Sequence, residues 1–61
     1  MTSNEAIGIA EGYIEEPDKE RQIEAWQFLI DTGLAWQLQG FFGRRAKYLI
    51  DAGVCRQQAD K

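Results

Sequence analysis

Apolar residues recur every three or four positions along most of the chain, which is the spacing of one face of an α-helix. Thr2 and Ser3 precede Glu5 at the spacing of a capping box, so we expect the first helix to begin there. The apolar stripe of this helix consists of Ile7, Ala10 and Ile14. The helix should run for about three turns and end before Pro17, because proline disfavours helical geometry at the residue before it.

Two glycines, Gly8 and Gly12, lie one turn apart within this predicted first helix. Each weakens a helix by roughly 1 kcal/mol relative to alanine. Together they could form a notch for another helix or a ligand, or they could let this helix pack closely against its own neighbours. We favour the second interpretation.

The second helix is predicted from about Pro17 to Thr32, with Pro17 at its first position. Its apolar face consists of Ile23, Trp26, Leu29 and Ile30 and is widened by Ala25 and Phe28. A face this wide indicates a central helix that is contacted from two sides.

Residues 28–34 and 48–54 share the order aromatic, Leu, Ile, Asp, small residue, Gly, aliphatic. This order predicts two helix ends, each closed by a left-handed glycine, at Gly33 and Gly53. Residues 34–39 should form a short helix or turn, and 41–52 a last helix. The inward stripe of this last helix is predicted to contain Phe42, Ala46, Leu49 and Ile50, and its outward side Arg44, Lys47 and Asp51.

No stretch alternates between apolar and polar residues with a period of two. The predicted fold class is therefore all-α, a small bundle of three helices with a short extra helical turn. We expect residues 1–55 to form a single helical domain and residues 56–61 a polar C-terminal tail.

The chain of 61 residues contains one cysteine, Cys55, and no histidine. An intramolecular disulfide and the usual Cys/His zinc sites are therefore excluded, and we expect no cofactor. A domain this small needs a source of stability beyond its small core. Without a disulfide or a zinc site, the remaining sources are good helix packing and self-association into a homo-oligomer. The lone cysteine and the lack of a signal peptide indicate a reducing location, the cytoplasm of a bacterial or infected host cell. No apolar run is long enough to suggest a membrane span, and we expect no membrane partner.

Candidate catalytic residues are few. Cys55 has no histidine to activate it and is expected to act as a semi-buried small hydrophobe. Glu15 and Glu16 are adjacent, so on a helix they would point in different directions. No glycine-rich phosphate loop is present. We therefore expect no enzymatic activity.

Seven aromatic residues are many for so small a core, and this favours a protein that acts by protein–protein interaction. We expect Trp26 to be in the core and at least one of Trp36, Phe41 and Phe28 to be partly exposed. The candidate contact residues for a protein partner, either a host protein or a second copy, are Trp36, Phe41, Arg44 and Arg45.

Net charge is uneven along the chain, with −6 over residues 1–31 and +3 over residues 32–61. The first alternative function is nucleic-acid binding by the basic helix 43–52, with candidate contacts at Arg44, Arg45, Lys47 and Arg56. The acidic pI near 4.7 weighs against it.

The acidic residues between Glu11 and Glu24 could instead dock on a basic partner. A second alternative is a structural or virion-associated subunit.

Residues 10–12 and 24–53 resemble a family of short bacterial and phage proteins. The shared order is EAWQ, DTG, AW, LQG and GR, and the resemblance extends over about residues 6–55. It implies a small phage or prophage accessory protein. From the small size, the aromatic excess and the charges of both signs, we expect such a protein to bind another protein and to modulate a host factor. The resemblance implies no activity and no functional residues.

Overall fold

The computed structural model of the protein describes residues 1–38 and 40–57, which contain four helices and no strand. The helices are α1 (Ser3–Glu11), α2 (Lys19–Asp31), α3 (Leu34–Gln37) and α4 (Gly40–Asp51). The predicted all-α fold, with three longer helices and one short turn of helix, is confirmed.

Side-chain caps begin the first two helices. Thr2 Oγ1 accepts a hydrogen bond from Glu5 N at 3.2 Å, as the capping-box spacing predicts. In α2 the cap is Asp18, whose Oδ1 accepts from Glu20 N at 2.9 Å. The prediction that Pro17 is the first residue of this helix is therefore wrong, because Asp18 follows Pro17 and occupies the capping position with an extended backbone.

Glycines in the left-handed conformation follow three of the helices. Gly33 and Gly53, with φ of 80° and 79°, confirm the two predicted helix ends. Gly12, with φ of 80°, closes α1 in the same way, and its N–H donates to the carbonyl oxygen of Ile9 at 3.1 Å. The first helix is thus shorter than predicted and ends at Glu11.

Beyond Gly12 the chain folds back onto α1. Ile14 N donates to the carbonyl oxygen of Gly8 at 3.0 Å. A Cβ atom at Gly8 would lie only 2.6 Å from Ile14 Cδ1, so the missing side chain leaves room for Ile14. The interpretation that the two glycines allow close packing within this chain is confirmed for Gly8, although the neighbour is a turn and not a helix. It is wrong for Gly12, because a Cβ there would meet no atom within 4 Å.

The core lies around α2, which contacts both α1 and α3. The buried apolar residues are Ala6, Ile9, Ala25, Trp26, Leu29, Ile30, Ala35, Phe42, Ala46 and Cys55. Trp26 is buried as predicted, and its ring contacts that of Phe42 on α4, with centroids 5.9 Å apart. The predicted central position of the second helix is confirmed.

The end of α4 returns the chain to α2. Gly53 N and Val54 N donate to the carbonyl oxygens of Ile50 and Leu49, a pattern that reverses the chain. Gln27 then binds the backbone of Arg56, accepting from its N–H at 2.8 Å and donating to its carbonyl at 2.9 Å. The first residue of the predicted polar tail is thus anchored to α2, and residues 58–61 lie outside the described part.

In the described ranges, no helix is long and apolar enough to cross a bilayer.

The left-handed backbone at Gly53 should be sensitive to any side chain. A Cβ at this position would meet no atom within 4 Å, so the cost of Gly53→Ala is conformational and not steric. We expect Gly53→Ala to lower the free energy of unfolding by about 1 kcal/mol in urea denaturation, and Gly53→Asn by less. Gly40→Ala is the control, because Gly40 has no positive φ and its Cβ would make ordinary contact with Arg44. Equal stability of Gly53→Ala and the wild type would contradict the prediction.

Packing of Ile14 on Gly8 can be measured with a double-mutant cycle. In the wild type, Gly8→Ala should lower the free energy of unfolding, because the new methyl group displaces Ile14. In an Ile14→Ala background the space is free, and the same change should stabilise the protein by up to about 1 kcal/mol through helix propensity. In a Tyr13→Ala background, which removes an exposed side chain, the effect of Gly8→Ala should remain destabilising. Additive effects of the changes at Gly8 and Ile14 would refute the contact.

Candidate functional site

A cleft of about 430 Å³ opens between the turn after α1 and the first part of α4. We call it the central cleft. Its lining residues come from α1, the turn, α2 and α4, and they are Ile9, Ala10, Glu11, Gly12, Ile14, Glu15, Glu16, Gln22, Trp26, Phe41 and Arg45. The turn reaches this position because Gly12 ends α1 and Ile14 folds back over Gly8.

Two aromatic rings contribute to the apolar lining of the central cleft. Trp26 and Phe41 meet edge to face, with ring centroids 6.2 Å apart and planes at 73°. Trp26 is buried, whereas 44% of Phe41 remains exposed. Phe41 is held in place by Phe42, whose ring centroid is 4.9 Å away, so the exposed ring is fixed by the core beneath it.

The polar lining of the central cleft carries charges of both signs. Glu11, Glu15 and Glu16 come from the α1 end and the turn, and Arg45 comes from α4. Glu16 forms an ion pair of 3.7 Å with Arg21, which also pairs with Glu5 and Glu24. Glu11 and Glu15 form no ion pair within the described residues, which leaves both carboxylates available to a partner.

Two smaller hollows adjoin the central cleft through Arg45. One, of about 320 Å³, is lined by Phe41, Arg44, Arg45 and Tyr48. The other, of about 290 Å³, is lined by Lys19, Gln22, Ile23, Trp26, Arg45, Leu49 and Val54. The Arg45 guanidinium lies 5.8 Å from the centroid of the Tyr48 ring, within the range of a cation–π contact. Because Arg45 lines all three hollows, we call the continuous surface they form the Arg45 face.

Exposed apolar side chains concentrate on this face. The large hydrophobic residues with substantial exposure in the described part of the chain are Tyr13, Ile14, Trp36, Phe41, Tyr48 and Val54. Four of these, Ile14, Phe41, Tyr48 and Val54, line the Arg45 face. Tyr13 adjoins Ile14 in sequence and is 91% exposed. Tyr13 and Trp36 line none of the three hollows.

The predicted protein contacts Trp36, Phe41, Arg44 and Arg45 do not form a single group. The structure brings Phe41, Arg44 and Arg45 together around one hollow. Trp36 is 47% exposed, but it lies beside Gly43, where a Cβ would be 3.8 Å from its ring. Gly43 is two positions from both Phe41 and Arg45, roughly 200° away around the helix axis. Trp36 is therefore on the α3 side of α4, apart from Phe41 and Arg45.

The predicted nucleic-acid contacts Arg44, Arg45, Lys47 and Arg56 are also divided. Lys47 pairs with Asp51 at 3.3 Å on the outer side of α4, as the sequence predicts. Arg45 lines the cleft that also contains Glu11, Glu15 and Glu16. Arg56 is held at α2 by its backbone. A phosphate chain at Arg45 would therefore meet carboxylates as well as the guanidinium.

Sequence reasoning missed three contributors to the candidate site, Ile14, Tyr48 and Val54. Periodicity places Ile14 on a helix stripe, and the shared order of residues 48–54 explains Tyr48 and Val54 only as parts of a helix end. The bond between Gln27 and Arg56, outside the three hollows, is also not predicted, since a glutamine on a helix gives no sign of binding a backbone 29 positions away. The acidic residues between Glu11 and Glu24 are the sequence feature nearest to the acidic wall of the cleft.

Cys55 is buried, as predicted for a small hydrophobe, and its Sγ lies 4.0 Å from the carbonyl oxygen of Ile23. Burial raises the pKa of the Cys55 thiol, and the negative charge of Asp31 raises this pKa further. Both effects keep the sulfur protonated, whereas a nucleophile or metal ligand acts as a thiolate. Within residues 1–38 and 40–57, no three acidic or cysteine side chains are grouped to hold a metal ion.

The raised pKa of Cys55 predicts a specific loss of stability in base. The thiol stays protonated in the folded state but ionises above about pH 8.5 in the unfolded chain. Unfolding then releases a proton, so the free energy of unfolding should fall as the pH rises above about 8.5. Below this pH the thiol is protonated in both states, and no stability is lost through it. Urea denaturation at a series of pH values should show this fall in the wild type and a smaller one in Cys55→Ala. Identical pH profiles would contradict the assignment.

Comparison with known proteins gives one result. A family profile described as a domain of unknown function, DUF7417, matches residues 6–61. No curated protein and no solved structure matches the chain significantly. The matched range includes the whole region on which the family resemblance was based. The chain belongs to the DUF7417 family.

Proposed function

We propose that this chain is a small, non-enzymatic accessory protein of phage or prophage type that binds another protein through the Arg45 face. It would act in the cytoplasm of a bacterial or infected cell, where such binding could modulate a host factor. The observation that carries the proposal is the gathering of Ile14, Phe41, Tyr48 and Val54 on one face with two arginines.

The composition of this face is that of an interface centre. Aromatic residues and arginine are enriched where proteins bind one another, and they contribute much of the binding energy. Phe41 and Tyr48 are 44% and 62% exposed, and both rings adjoin Arg45 in the same hollow. Phe41 packs on two core rings, so it would lose little conformational freedom when a partner covers it.

The distribution of charged groups supports binding more than catalysis. Among the described residues, no polar or charged side chain is buried. Catalytic acids, bases and nucleophiles are usually desolvated so that their pKa values suit the reaction. Here the carboxylates and guanidiniums lie at the surface, where they can select a partner of complementary charge.

Nucleic-acid binding has weaker support, because the candidate basic residues are divided and Arg45 shares a cleft with three glutamates. A role as a structural or virion-associated subunit stays a prediction, and it would use the same kind of contact surface.

Site-specific photo-crosslinking in cells tests the proposal. A benzophenone amino acid at Tyr48 should form protein adducts, because the ring is exposed within the Arg45 face. The same group at Asn4, an exposed residue of α1 outside the three hollows, is the matched control. Arg45→Glu should reduce the Tyr48 adduct about tenfold, the equivalent of 1.4 kcal/mol, with the helix content unchanged in circular dichroism.

Equal adducts at the two positions, or none at either, would contradict a role for the Arg45 face. A duplex titration at low salt gives the comparison with the alternative function. Binding that weakens steeply with salt and is lost in Arg44→Glu would favour nucleic acid over protein.

A further inference from the structure

We infer that the occupant of the Arg45 face is a second copy of this chain, bound with two-fold symmetry. This inference rests on the proposed function, since it names the partner of the same surface. It depends on two patches that the structure places on opposite sides of the central cleft.

The first patch is the acidic arm, residues 11–16. It contains three carboxylates of the central cleft and the two exposed apolar residues Tyr13 and Ile14. Ile14 lines the central cleft, whereas Tyr13 is 91% exposed next to Gly12 and projects from the surface outside the cleft.

The second patch is the basic hollow, which is the hollow of about 320 Å³ formed by Phe41, Arg44, Arg45 and Tyr48. It has an aromatic residue and an arginine from each of two successive turns of α4. Neither Arg44 nor Arg45 forms an ion pair with a carboxylate within the described residues. The basic hollow therefore offers two guanidiniums and two exposed rings to an acidic segment that carries an exposed apolar side chain.

The acidic arm is such a segment. Its carboxylates match the guanidiniums of the basic hollow, and Arg–carboxylate pairs are among the stronger charge-assisted contacts. Its Ile14 side chain, which is 41% exposed and lines the central cleft together with Phe41, can pack on the exposed rings of the other copy's basic hollow. Within one chain the two patches lie on opposite sides of the cleft, and Glu11 and Glu15 remain unpaired with either arginine.

Symmetry makes the two patches self-complementary. A two-fold interface brings the same surface of both copies together. A patch on one side of the axis in the first copy therefore meets the patch that lies on the other side of the axis in the second copy. With the axis through the central cleft, each acidic arm would meet the basic hollow of the other copy. The contact between an acidic arm and a basic hollow would then form twice. The remaining exposed apolar residues of the Arg45 face would be covered between these two contacts.

The size of the protein is consistent with this assembly. Its accessible surface is 4482 Å², and a standard interface covers about 800 Å² of each partner. That area is less than a fifth of the surface, about what one face of a protein 30 × 21 × 21 Å can provide. A chain of 61 residues without a disulfide also gains stability when a second copy covers exposed rings.

Charge exchange between the patches tests the inference by analytical ultracentrifugation. We expect the wild-type protein to sediment as a dimer. Glu15→Arg and Arg44→Glu should each raise the dissociation constant at least tenfold, because each places like charges against each other at both contacts. An equimolar mixture of the two variants should restore the dimer, since a Glu15→Arg arm then meets an Arg44→Glu hollow and the unaltered pair remains.

Lys47→Glu is the matched control for Arg44→Glu. It makes the same change of charge on the same helix, but Lys47 lies on the outer side and pairs with Asp51. It should leave the dimer intact, and circular dichroism should show unchanged helix content in all variants.

A monomeric wild type, or a dimer that neither Glu15→Arg nor Arg44→Glu weakens, would overturn the inference. Failure of the two variants to associate when mixed would also overturn it. If the protein is monomeric and a crosslinker at Tyr48 still captures a different protein, the proposed function stands and only the second copy is rejected. If the protein is monomeric and no adduct forms at Tyr48, both proposals fail.

Discussion

Burial of one face of α2 is the interaction on which the rest of the structure depends. Leu29 and Ile30 on this face are the largest side chains that are fully buried. α1 and α3 pack against the same helix, and the Phe41 and Phe42 rings of α4 contact it at Trp26. A 61-residue chain can bury only a limited apolar area, so the loss of this one helix face would leave no second core.

The same limit explains why the surface has so much aromatic area. One side of Phe41 packs on Trp26 and Phe42, and no further element in residues 1–38 and 40–57 covers its other side, which leaves 44% of the residue exposed. The exposed ring and the core are therefore physically continuous. In a larger domain another helix would cover this ring, whereas here a partner molecule can do so.

Helical periodicity and turn chemistry were enough to predict most of the fold. The stripe around Leu29 identifies α2, and the glycines at 33 and 53 identify helix ends because no other residue adopts positive φ so readily. The end of α1 could not be predicted in this way. Ile14 lies seven positions after Ile7, which continues the helical spacing, and only the coordinates show that a turn brings Ile14 back onto Gly8.

The candidate site was only partly predictable, because contact between distant segments depends on tertiary packing. Phe41, Arg44 and Arg45 are close in sequence and share one side of a helix, so they could be grouped in advance. Trp36 is also close in sequence, yet Gly43 lets α3 approach the other side of α4 and carries Trp36 with it. The opposition of the acidic arm to Arg45 depends on the whole bundle, and no local pattern indicates it.

The bond between Gln27 and Arg56 has a consequence for the speed of folding. Most helix contacts join neighbours along the chain, α1 with α2, α2 with α3 and α3 with α4, and such local topologies fold quickly. The pairing of Gln27 with the Arg56 backbone closes a loop of 29 positions, and its entropic cost is compensated best once α4 has already docked. Contacts made after the transition state slow unfolding and hardly affect folding. We therefore expect the contact at Arg56 to affect how long the folded state lasts more than how fast it forms.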